Sequence, residues 1–80
     1  SDEVYNLHQD KDGYLWAFTN YGPLKYNSVQ FKPVLTNLGF EDLFIYSIYE
    51  NEKGEKWVAN SNAKIYQIRN DSALIIEGID

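Results

Sequence analysis

The sequence predicts an all-β, antiparallel fold, and three observations carry that expectation. Short runs rich in β-branched residues and tyrosine alternate with turn signals, roughly every 8–12 residues or closer. No segment keeps a 3.6-residue apolar period over helical length. With 44% hydrophobic and 16% aromatic residues, the chain has enough apolar surface to pack rather than stay disordered.

The elements follow in order. Val4, Tyr5 and Leu7 open a first strand-like run, which stops at Asp10-Lys11-Asp12-Gly13. Residues 14–19 form the next run, stopped by Asn20-Tyr21-Gly22, and residues 24–26 end at Asn27-Ser28. Residues 29–35 end at a turn beginning with Thr36. The second half repeats the pattern with runs at 43–49, 55–60, 64–68 and 73–79, divided by turns at 50–54, 61–63 and 69–72. Eight short strands result. Pro23 and Pro33 fall where a strand start or an edge strand tolerates a missing N–H.

The halves are in phase. Trp16 and Trp57, Gly13 and Gly54, and Tyr5 and Tyr46 each stand 41 residues apart. At the same offset Val4 meets Ile45, Leu7 meets Ile48, Ala17 meets Val58 and Leu24 meets Ile65. Past the tryptophans a one-residue slip is expected, pairing Tyr26 with Tyr66. Units of this length holding four strands each are the signature of β-propeller blades. The expected division is a first blade over residues 1–39 and a second, degenerate one over 40–80. The chain opens on Ser1 rather than methionine and reads as a piece of something larger.

Composition excludes several function classes. A net charge of -5 with no Lys/Arg cluster gives nucleic acid and anionic membranes little to bind. The absence of cysteine removes disulfide, thiolate-metal and cysteine-nucleophile chemistry. No apolar run approaches membrane-spanning length, and no signal-peptide pattern occurs in these residues. No direct membrane contact is expected.

Candidate chemistry is thin. Asp10 and Asp12 before Gly13 suggest a calcium loop, but with Gly13 at loop position 6 the end ligands would be His8 and Thr19. Lys53 beside Gly54 would repel a cation in the second copy. A hairpin turn explains the stretch better: aspartate side chains accept nearby backbone N–H groups and glycine takes a positive φ. A sialidase-type Asp-box would need aspartate where Lys11 stands. Trp16 and Trp57 could stack on sugars, but residues recurring at one blade position are expected to pack between blades. Tyr14 and Tyr21, at turns, are the tyrosines placed to line a ligand face.

His8 is the sole histidine and has no neighbouring nucleophile pattern, so a polar strand position is expected. The acidic residues Asp2, Glu3, Glu41, Asp42, Glu50, Glu52 and Glu55 read as solvating charge at turns and termini. No catalytic, cofactor-binding or metal-binding residue is assigned, no cofactor is expected, and the ligand contacts are unknown.

The first copy resembles the repeat of the two-component regulator propellers. The matching residues are Asp10, Asp12, Gly13, Leu15, Trp16, Thr19, Gly22, Lys25, Tyr26 and Asn27. The second copy keeps Gly54, Trp57 and Ile65, but has Asn51 and Lys53 at the turn, Asn60 for the threonine and Ala63 for the glycine.

The resemblance implies a non-catalytic sensor and scaffold module: two blades of the periplasmic propeller of a hybrid sensor histidine kinase anchored in the inner membrane. Its kinase would lie outside this chain, and polysaccharide breakdown products would be its ligands. Expected partners are neighbouring blades of the same parent chain, or further copies of the fragment, with an oligosaccharide bound by the assembled propeller. The alternatives are a blade pair from a propeller carbohydrate-active enzyme and a structural, protein-interaction propeller.

Overall fold

A computed structural model describes residues 3–78 of the 80. Eight strands form two antiparallel four-stranded sheets, each a simple meander. Sheet order is β1 (Val4–Gln9), β2 (Leu15–Thr19), β3 (Gly22–Tyr26) and β4 (Phe31–Pro33) in the first, then β5 (Ile45–Glu50), β6 (Lys56–Asn60), β7 (Lys64–Arg69) and β8 (Ser72–Gly78) in the second. These are two propeller blades. Pro33 sits on the edge strand β4 and Pro23 near the start of β3, as a missing N–H requires.

The blades share their local chemistry. Tyr5 and Tyr46 each fall at a register shift of the first hairpin, between Val4 and Asn6 and between Ile45 and Ser47. Both first turns are built by one side chain. Asp10 Oδ1 accepts from the N–H groups of Asp12 (3.1 Å) and Tyr14 (2.8 Å). Asn51 Oδ1 accepts from Lys53 (3.0 Å) and Glu55 (2.9 Å). Gly13 and Gly54 follow with φ of 93° and 83°. The turn hypothesis for this stretch therefore holds, with Asp10 as its builder and Asp12 exposed to solvent.

The repeat does slip, but opposite to the expected direction. Leu24 pairs with Ala17, and Tyr66 pairs with Val58, so beyond the second turn the offset becomes 42. Tyr66 thus takes the place of Leu24, and Ile68 that of Tyr26. The cause is one extra residue in the β6–β7 turn. Thr19 pairs directly with Gly22, whereas the second turn carries Ala63 at φ 60° before Lys64 starts its strand.

Ala63 occupies a left-handed position that favours glycine, and Gly22 has φ 103° in the first blade. Ala63→Gly is expected to stabilise the chain by about 0.5–1 kcal/mol, because strain relief exceeds the added entropy of the unfolded state. Urea denaturation followed by tryptophan fluorescence measures it, and an unchanged midpoint would refute it.

Two expected strand runs are shorter than their apolar pattern. Of residues 29–35 only Phe31–Pro33 pair as a strand; Val34 and Leu35 cross instead to the second sheet. Leu35 N–H donates to Asp71 O (2.8 Å), and the Asn37 amide both donates to Ala73 O and accepts from Ala73 N–H. Burying Leu35 completely offsets the cost of its φ of 56°. Likewise Leu43 and Phe44 lie outside β5, after a single 3-10 turn at Phe40–Asp42.

The core lies between the sheets. Trp16 and Phe18 of β2 point from the first blade onto Ile45, Val58, Tyr66 and Ala73 of the second, with Val34 and Leu35 closing the side. Each blade contributes a different face: the even positions of β2 from blade 1, and the face holding Val58 and Tyr66 from blade 2. Trp16 is 1% exposed, as expected of an interblade residue. Trp57 departs from that expectation, because no sheet covers its face among the described residues. It is only half-buried and rests on Tyr49, ring centres 5.9 Å apart.

Candidate functional site

The polar chemistry concentrates on the seam between β1 and β5, above the interblade core. Asp10 is 6% exposed although it sits in a turn. Its Oδ2 accepts from Trp16 Nε1–H at 2.9 Å, so one carboxylate shapes the hairpin with one oxygen and fixes the core tryptophan with the other. Lys56 of β6 reaches over from the second blade. Its Nζ lies 3.6 Å from Asp10 Oδ2, 3.8 Å from Glu50 Oε2 and 5.7 Å from the centre of the Trp16 ring.

Glu50 completes the clasp. It accepts from His8 Nε2–H (2.8 Å) and from Lys11 N–H (3.0 Å), both on the first blade. Lys11 Nζ donates to Glu52 O, and the Tyr5 and Tyr46 rings meet at 5.0 Å. Glu50 was expected to be solvating charge, and that expectation is overturned: the neighbouring blade withdraws its side chain from water. Asp42 departs in the same way, held by Asn62 and by Lys64 at 3.2 Å, where it braces the β6–β7 turn. His8 is a half-buried strand residue, as expected, with Glu50 as its partner.

This arrangement binds one blade to the other and offers little to a reacting molecule. Both Asp10 oxygens already face N–H donors, and the Lys56 ammonium supplies the positive charge a cation would bring. No group of three or more His, Cys, Asp or Glu is gathered for a metal among the described residues. Tyr14 and Tyr21 are exposed, as their turn positions suggested. Tyr14 carries the Lys25 ammonium 4.4 Å over its ring, while Tyr21 edges an apolar groove with Leu7, Ala17, Leu24 and Phe31.

The clasp makes stability depend on acid. Burial pushes the Asp10 carboxyl upward, but hydrogen bonds from Trp16 and Tyr14 and the Lys56 and Lys25 charges outweigh it, leaving the group below its ordinary 3.8. Burial likewise raises Glu50, and the Lys11 N–H, His8 and Lys56 hold it below its ordinary 4.5. Both groups are lowered on folding, so their stabilisation is complete above those ordinary values and disappears as pH falls through the lower folded-state values. The melting temperature is expected to be level down to about pH 5 and to fall steeply below about pH 4. Glu50→Gln should flatten that acid limb; equal pH profiles for the two proteins would refute the assignment.

Fold and seam together define a pair of propeller blades joined by a polar clasp over an aromatic core. The two component regulator propeller model matches residues 1–21, which comprise β1, the Asp10 turn and β2 of the first blade. Over these residues blade 1 is similar to this repeat, whose family is one of propeller modules rather than of catalytic domains. No curated protein and no solved structure matches the chain.

The register-shifted Tyr5–Tyr46 pair and the Asp10–Trp16 bond were not foreseen. The 41-residue identity of the tyrosines was the available signal for the first. Nothing in the spacing distinguishes Asp10 from Asp12 as the partner of Trp16.

Proposed function

We propose that the chain is a non-catalytic scaffold and sensing module, two blades of the extracytoplasmic propeller of a two-component sensor histidine kinase. The observation that carries this reading is the family match on β1, the Asp10 turn and β2, the strands that supply the clasp and Trp16. In this reading the parent is anchored in a bacterial inner membrane, and its kinase lies beyond these residues. Among the described residues no helix is long and apolar enough to cross a membrane.

Ligand recognition would then belong to the loops of the assembled propeller, with Tyr14 and Tyr21 available from this pair of blades. Breakdown products of complex polysaccharides are the proposed ligand class. The test is calorimetric titration of the complete propeller-bearing ectodomain with a panel of such oligosaccharides. Saccharide binding that weakens in Tyr14→Ala or Tyr21→Ala supports the reading. No binding across the panel would remove the sensing role and leave the blade assignment standing.

A further inference from the structure

We propose that the cleft between the two blades, on the β3–β4 side of their seam, binds the acid group of an acidic saccharide through Lys25 and Lys32. That group is a carboxylate or a sulfate ester. The inference rests on the sensing role proposed above and names the class of sugar sensed. The cleft has a volume of about 340 Å³, within the range of small-ligand sites. Blade 1 supplies Tyr14, Lys25, Asn27 and Lys32, and blade 2 supplies Asp71 from the β7–β8 turn. Both walls belong to blades that are adjacent within this chain, so the cleft is independent of what packs against their outer faces.

Strand register explains why the donors converge. Trp16 pairs with Lys25 and Lys25 with Lys32, so all three stand on the face of blade 1 that meets blade 2. The Lys25 ammonium lies 3.0 Å from Asp71 Oδ1, 4.4 Å from the Tyr14 ring centre and 5.1 Å from that of Trp16. Lys32 has no ion-pair partner among the described residues. Asn27 commits its Oδ1 to the Val29 and Gln30 N–H groups, and its NH2 group is a further donor. Two lysines against Asp71 give the cleft one net positive charge, in a chain whose net charge is -5. The buried Val34 lines the same cleft, and an apolar wall beside the ammonium groups strengthens their attraction for an anion.

The blade repeat does not require this set. The corresponding positions of blade 2 carry Glu55, Gln67 and Leu74 in place of Tyr14, Lys25 and Lys32. Lys25 is accounted for by its pair with Asp71 across the seam; Lys32 is accounted for by a ligand. In the proposed complex the acid group bridges the two ammonium groups by charge-assisted hydrogen bonds. The Asn27 NH2 donates to a sugar hydroxyl, and the exposed Tyr14 ring gives the sugar a flat surface to lie on.

Calorimetric titration of the complete propeller-bearing ectodomain tests this with uronic-acid oligosaccharides, sulfated oligosaccharides and the neutral counterpart of each. The expected result is binding in one acidic arm that the matched neutral sugar lacks and that weakens as salt is raised. The arm that binds identifies the anion. Lys32→Gln should weaken this binding about tenfold, the effect of losing one charge-assisted hydrogen bond, with an unchanged melting temperature. Lys53→Gln removes the same charge from the β5–β6 turn, outside the cleft, and should leave binding as it is. Acidic sugars that bind Lys32→Gln as they bind the wild type would overturn the proposal, as would equal losses in Lys53→Gln or equal affinity for the neutral counterparts. Each of these leaves the sensing role standing, whereas no saccharide binding in any arm would remove both.

Discussion

Asp10→Ala is expected to destabilise the chain by about 3–5 kcal/mol, the cost of removing one member of a buried, hydrogen-bonded charge pair. The substitution strips the acceptor from the Asp12 and Tyr14 amides, from the Trp16 indole N–H and from the nearby Lys56 ammonium. Small domains are stable by only about 5–15 kcal/mol, so the variant should be largely unfolded well below the wild-type melting temperature.

Asp10→Asn separates the two roles of the carboxylate. Asn51 shows that an amide builds the same turn with its Oδ1 alone. The second oxygen would become an NH2 group facing the Trp16 N–H and Lys56, so a loss of about 1–3 kcal/mol is expected. Urea denaturation measures both variants. Equal losses for alanine and asparagine would show that the contacts to Trp16 and Lys56, rather than the turn, carry the stabilisation.

Trp16→Ala and Trp57→Ala should differ sharply although the two residues are repeat equivalents. Trp16 stacks beside Phe18 under the second blade, ring centres 6.5 Å apart, and is fully buried. Its truncation leaves a cavity in the core the two sheets share and is expected to cost about 3–5 kcal/mol. Trp57 covers part of Tyr49 on a face that has no sheet against it among the described residues, so its truncation should cost about 1 kcal/mol. Equal losses would mean that the face of Trp57 is already covered in solution.

Strand count, the hairpin turns and the two-blade organisation were legible because they depend on residues close in sequence. Alternating apolar residues, Asp or Asn two and four residues before the donors they accept from, and glycine at the turn tip act within a few positions of one another. The direction of the repeat slip was not legible, since Tyr26 and Tyr66 match by residue type while the inserted turn residue shifts the register the other way. The early end of β4 and the late start of β5 were hidden for a related reason. Val34, Leu35, Leu43 and Phe44 are apolar enough for strands, but their partners lie in another part of the chain.

By itself the sequence determined the all-β class, the 41-residue repeat and the family resemblance of the first copy, all of which rest on local pattern. Tertiary structure alone decided which equivalent residues do equivalent work. Trp16 is buried and Trp57 half-covered, and Asp10 is fixed to an indole while Asn51 is not. Glu50 is drawn into a seam although its sequence neighbours mark it as surface charge. The physical reason is that a blade's faces acquire their environment from the sheet packed against them. Burial, desolvation and charge pairing at those faces depend on that neighbour, and local sequence carries no record of it.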